Sequence, residues 1–120
     1  MIAWSVHHGD CRAVLQALPD ACVDAVVTDP PYGLGADADI HKVLADWLAG
    51  RTHCPAGGGY QGRKWDAFVP GPDVWREVLR VLVPGGHILA SSSTRTSDLL
   101  GLALRLAGAQ IRDTLTWCYG

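Results

Sequence analysis

The segment Val26-Val27-Thr28-Asp29-Pro30-Pro31-Tyr32-Gly33 carries the residue types best suited to chemistry. A carboxylate and a carbonyl that converge on one small space can hold the two hydrogens of a planar exocyclic amino group. Asp29 supplies the carboxylate, and Pro30 supplies the carbonyl from a backbone that two proline rings fix. Tyr32 adds a flat face on which a base can stack. Such a site orients an amino nitrogen for in-line attack on an electrophilic carbon.

Other clusters are less specific. Between Asp46 and Asp66 the chain carries Arg51, Arg63 and Lys64 and no acid. It reads either as a local contact to phosphates or a displaced strand, or as an ordinary solvated loop. Ser91-Ser92-Ser93-Thr94-Arg95-Thr96 suits phosphate binding at a helix N-terminus, or simple capping by Thr96 or Ser97. His53-Cys54 lacks a third ligand nearby and reads as structural. His7, His8 and His41 read as surface residues, and Trp4, Trp47 and Trp75 as core or core-edge.

These residues need elements to position them. Ile2 to Val6 reads as a short strand, and Asp10 as a cap for a helix over Cys11 to Leu18. Val23 to Thr28 is an apolar run broken only by Asp24, the pattern of a strand buried on both faces in a parallel sheet. Two prolines end it, which places Asp29 at a strand's carboxyl end, where open α/β sheets bind ligands. Ile40, Val43, Leu44, Trp47 and Leu48 mark an amphipathic helix that Gly50 stops. A loop follows from Arg51 to Lys64. Pro72-Asp73 opens a third helix, which Pro84-Gly85-Gly86 terminates. His87 to Ala90 reads as a strand, Asp98 to Ala107 as a helix stopped by Gly108, and Gln110 to Tyr119 as a last strand. The order β-α-β-α-α-β-α-β implies a mostly parallel sheet with flanking helices.

The chain has 120 residues, 48% of them hydrophobic and 18% charged, with a formal net charge of −2. This composition fits one domain and excludes a disordered tail. The charge balance excludes a binder of the basic-protein type, so nucleic-acid contact must come from a local patch. No run of about 18 apolar residues is present to cross a membrane, and the N-terminus lacks the order of a secretory signal. Cysteines at 11, 22, 54 and 118 show no C-x-x-C spacing. They read as reduced thiols of a cytoplasmic protein, with Cys11, Cys22 and Cys118 as small buried hydrophobes.

Asp29-Pro30-Pro31-Tyr32 after a hydrophobic strand resembles the catalytic motif of amino-group DNA methyltransferases. These methylate N6 of adenine or N4 of cytosine with S-adenosylmethionine. Gly9-Asp10-Cys11, with Leu15, Leu18, Pro19-Asp20 and Val23-Asp24, resembles the stretch before that motif in the bacterial and phage branch. Lys64-Trp65-Asp66, Val83-Pro84-Gly85-Gly86-His87, Thr94-Arg95-Thr96 and Ile111-Arg112-Asp113 with Trp117 resemble later segments, in co-linear order. The resemblance implies that Asp29, Pro30, Pro31 and Tyr32 are catalytic and that Asp10 and Cys11 contact the cofactor. It turns Arg51, Arg63, Lys64, Thr94 and Arg95 toward double-stranded DNA whose target base is flipped out. It implies no metal and no covalent enzyme intermediate. An N-cap role for Asp10 is compatible with cofactor contact.

The chain departs from that family in lacking an F-x-G-x-G turn after a strand. Gly57-Gly58-Gly59 has no strand before it, and Pro84-Gly85-Gly86 leads into a strand. The resemblance then implies that residues 1–120 form the N-terminal catalytic part of a Rossmann-like α/β fold. The glycine turn would come from a C-terminal half or a partner chain, and the chain alone is expected to be inactive. An RNA amino-group methyltransferase and an inactive phage or prophage remnant are the alternatives. In the implied fold two strands separate Ile2–Val6 from Val23–Thr28, a gap of roughly 14 Å. The two segments are therefore expected not to pair, leaving Val26 and Val27 on an open edge.

Overall fold

Four α-helices and two parallel strands make up the regular structure in a computed structural model, which describes residues 3–35, 38–57 and 59–120. In chain order they are α1 (Cys11–Gln16), β1 (Val23–Thr28), α2 (Ile40–Leu48), α3 (Pro72–Val81), β2 (Leu82–Ala90) and α4 (Ser97–Ala107). Short 3-10 turns at Tyr60–Gly62 and Lys64–Asp66 lie between α2 and α3.

Local chemistry accounts for the helix ends. The Asp10 side chain accepts from the Arg12 and Ala13 amides, and Asp39 does the same for His41 and Lys42. Pro72 fills the first position of α3, where its missing N–H costs nothing. Gly108 ends α4 in the left-handed conformation.

β1 and β2 pair in parallel, with α2 and α3 in the crossover between them. The register runs Val26↔Ile88, Val27↔Leu89 and Thr28↔Ala90. It slips between Val23↔Leu82 and Ala25↔His87, so the Pro84-Gly85-Gly86 turn is accommodated inside β2 as an irregularity. Helix α3 therefore stops at Val81, before those residues.

The core is built by Val43 and Trp47 of α2, Trp75 and Val78 of α3, Leu100, Ala103 and Leu104 of α4, and Val69. Val26, Ile88 and Ala90 close one face of the sheet onto it. Helix α1 joins through Leu15 and runs parallel to α3. Arg12 near its start meets Asp73 at 2.7 Å, and Arg80 near the end of α3 donates to the Leu15 and Leu18 carbonyls at 2.8 and 3.0 Å.

Several expectations are corrected. Residues 3–10 form no strand, and Ile2, where that strand was expected to begin, lies outside the described residues, as does Gly58. Residues 109–120 form no strand either. Among the described residues neither segment finds a partner ladder, and Trp4, Val6, Leu115, Trp117 and Tyr119 are exposed. Trp4 is thus not a core residue, whereas Trp47 and Trp75 are. β1 is covered on one face only, since Val27 is 79% exposed. All four cysteines are exposed: Cys11 opens α1, Cys22 lies just before β1, and Cys118 lies in the C-terminal segment without regular structure. No pairing joins residues 3–6 to β1. No helix among the described residues is long and apolar enough to cross a membrane.

Candidate functional site

The parallel pairing of Thr28 with Ala90 brings the next residues, Asp29 and Ser91, side by side at the carboxyl end of the sheet. The Ser91 amide donates to the Thr28 carbonyl at 3.1 Å. The Ser91 hydroxyl donates to Asp29 Oδ1 at 2.7 Å, and the Tyr32 hydroxyl donates to the same oxygen at 2.6 Å. The Tyr32 bond, then the Ser91 bond, hold the Asp29 carboxyl below the usual carboxylate range. The same contact raises the Tyr32 phenol above its ordinary value, because a proton donated to a carboxylate is harder to lose.

The turn that carries Tyr32 is clamped from two other parts of the chain. The amides of Tyr32 and Gly33 donate to one oxygen of Asp66, at 2.9 and 3.2 Å. Thr96 Oγ1 donates to the Tyr32 carbonyl at 2.7 Å. Asp66 is 7% exposed, and the two amide bonds compensate its burial. Thr96 sits at the start of α4 but makes no side-chain cap to it, and Ser97 is already helical. The expected capping by Thr96 or Ser97 therefore gives way to the tie to Tyr32.

Two glycines make the approach feasible. Gly33 has φ +66°, and a Cβ there would lie 3.1 Å from the Phe68 Cα and the Val69 nitrogen. A Cβ on Gly59 would collide with the Arg63 and Asp66 carbonyls. The glycine-rich loop is thus a device for folding residues 59–66 back onto the Asp29 turn.

Asp29, Pro30, Pro31, Tyr32 and Arg63 line one cavity of about 410 Å³, with Gln61, Trp65 and Asp66. This size falls within the range of small-ligand sites. The Arg63 guanidinium lies over the exposed Trp65 ring, 5.9 Å from its centroid. Of the expected DNA-contacting residues, only Arg63 joins the Asp29 cavity. Lys64 lines a separate cavity of about 580 Å³ with Arg12, Thr52, His53 and Asp73. Arg51 is held by Asp46 at 2.9 and 3.0 Å, so its charge is already answered by a carboxylate. Thr94 and Arg95 are exposed in the turn after β2. His53 is an anchor: its Nδ1 bonds Asp46 at 2.9 Å and its ring meets Phe68 edge-on. Among the described residues no group of three His, Cys, Asp or Glu side chains is placed to hold a metal.

Asp10 and Cys11 line neither described cavity. Asp10 Oδ1 is taken by the Arg12 and Ala13 amides of its own helix. Asp10 and Cys11, the residues expected to contact S-adenosylmethionine, are therefore not brought to either of these two cavities.

Sequence reading leaves Asp66, Ser91 and Thr96 without their roles. Asp66 ends a stretch of nineteen residues without an acid and belongs to the Lys64-Trp65-Asp66 segment of the resemblance, but neither signal shows that it folds back on Tyr32. No family model matches the chain, and no solved structure matches it.

Proposed function

We propose that this chain binds the exocyclic amino group of a nucleobase in DNA. It would be the target-holding part of a Rossmann-like, S-adenosylmethionine-dependent amino-group methyltransferase acting at adenine N6 or cytosine N4. One observation carries the reading: the Asp29 carboxyl, with one oxygen to which no described residue donates, stands beside Tyr32 at a parallel strand's carboxyl end. In this reading Asp29 and the Pro30 carbonyl accept the two amino hydrogens, and Tyr32 stacks on the flipped base. By accepting its hydrogens Asp29 orients the nitrogen, and the carboxylate's charge favours positive charge at that atom. Arg63 faces the phosphate of the flipped nucleotide.

The test is binding to a duplex in which one adenine faces an abasic position, so that flipping costs little. The same duplex with hypoxanthine, which lacks the amino group, is the comparison. Tighter binding of the adenine duplex, abolished by Asp29→Ala, is the expected result; equal binding of both duplexes overturns the reading. With labelled S-adenosylmethionine and mixed-sequence DNA, the chain alone is expected to incorporate no more label than Asp29→Ala. Incorporation above that control would place the donor's seat among residues 1–120.

A second reading, a binding module without transfer chemistry, has one observation in its favour. β1 is followed by Asp29-Pro30-Pro31 and β2 by Ser91-Ser92-Ser93, so neither strand leads into a glycine-rich turn. Amino-group preference without any incorporation, even when the chain is paired with a donor-binding partner, would favour this second reading.

A further inference from the structure

We propose that Ser91 is a positioning residue of the Asp29 site: with the Tyr32 hydroxyl it saturates Oδ1 and leaves Oδ2 as the acceptor offered to a ligand's N–H group. The part concerning the ligand rests on the amino-group reading above; the hydrogen-bond geometry does not.

A carboxylate oxygen has two lone-pair sites. Oδ1 of Asp29 receives Ser91 Oγ at 2.7 Å and Tyr32 Oη at 2.6 Å, which fills both. Among the described residues no donor reaches Oδ2. The two hydroxyls come from different elements, one from the Asp29 turn and one from the end of β2, so together they fix the carboxylate's plane as well as its charge. Ser91 is placed for this by the ladder itself, since its amide extends the β1–β2 pairing by one bond to the Thr28 carbonyl. The hydroxyl also lies 3.2 Å from that carbonyl, but it has one proton, and the ionised oxygen is the stronger acceptor. The charged or titratable groups sharing the cavity with Asp29 are Tyr32 from its own turn and Arg63 and Asp66 from residues 59–66. A change at Ser91 leaves Arg63 and Asp66 in place but also acts on the Tyr32 hydroxyl, so Tyr32→Phe and the double variant are needed to separate the two routes to Asp29.

The test is an NMR titration of the Asp29 side-chain carboxyl carbon in the full chain, assigned with Asp29→Asn. Ser91→Ala is expected to raise the Asp29 midpoint by roughly 0.5 pH unit or more. Ser91→Thr, which keeps the hydroxyl, is expected to restore it. Tyr32→Phe is also expected to raise it, and the double variant to raise it further. Ser91→Gly removes the hydroxyl without adding a methyl, and stands in should Ser91→Ala fold poorly. An unmoved midpoint in a folded Ser91→Ala or Ser91→Gly chain overturns the proposal, as does a Ser91→Thr chain that titrates like Ser91→Ala. The titration uses neither DNA nor a methyl donor. A negative result removes the role of Ser91 and leaves the amino-group reading standing, whereas equal binding of the two duplexes removes that reading and leaves the hydrogen bond.

Discussion

Tyr32 serves Asp29 with its hydroxyl and the cavity with its ring, and the two contributions separate by substitution. Tyr32→Phe keeps the ring and loses the 2.6 Å bond to Asp29 Oδ1; Tyr32→Ala loses both. Stacking of a base on an aromatic ring is worth about 1–3 kcal/mol. Tyr32→Ala is therefore expected to weaken binding of the adenine duplex by roughly five- to 150-fold, and Tyr32→Phe by clearly less. Equal losses would show that the ring does not meet the base. Asp66 is a different kind of residue, since it acts on Tyr32 only through the backbone. Asp66→Ala strips the acceptor from the Tyr32 and Gly33 amides and is expected to cost about 1–3 kcal/mol in urea unfolding. Hydrogen exchange should quicken at those two amides first. Asp66→Asn keeps a carbonyl oxygen in place and should recover most of the loss; a variant as damaged as Asp66→Ala would mean that the charge, not the geometry, holds the turn.

The end of α2 shows how an element is tied to the segment that follows it. Asp46 receives His53 Nδ1 and the Arg51 guanidinium, and these bonds, His53 first, hold its carboxyl below the usual range. A depressed carboxylate contributes stability above its unfolded pKa of about 3.9, and loses that contribution as pH falls through the folded value. The chain should therefore melt at a higher temperature than Asp46→Asn at pH 7, and the difference should shrink as pH is lowered through the acid range. A constant difference from pH 7 to pH 3 would show that the carboxylate's charge is not involved. Helices such as α2 are legible in sequence because their signals are local: a stripe of Ile40, Val43, Leu44, Trp47 and Leu48 and a stop at Gly50. The Asp29 turn is legible for the same reason. A strand needs a neighbour, and apolar runs at 2–6 and 110–119 do not state whether one exists. The contacts of Asp66, Ser91 and Thr96 to the Asp29 turn span 33 to 64 residues of sequence, and no local pattern encodes them.

At the scale of the whole molecule, the core lies on one side of a two-stranded sheet, and the other side is open. Trp75, 2% exposed, joins α3 to the cluster of α2 and α4, and Trp75→Ala is expected to cost about 3–5 kcal/mol, a large share of a small domain's stability. The open side works in the opposite sense. Val27 is 79% exposed and Leu89 55%, and they are register partners on adjacent strands, so they form one apolar patch. Among the described residues no third strand pairs with β1 or β2, which leaves backbone donors and acceptors unpaired on both outer edges. Sheet edges and apolar faces of this kind promote association, and a lysine on them opposes it. The chain is therefore expected to associate with rising concentration in sedimentation velocity. Val27→Lys with Leu89→Lys should shift it toward monomer while changing unfolding free energy by only about 0.5 kcal/mol per site, because neither side chain supports the core. A wild-type chain that stays monomeric at high concentration would show that the open face is not adhesive. A double variant that unfolds would show instead that Val27 and Leu89 are covered in solution by a part of this chain.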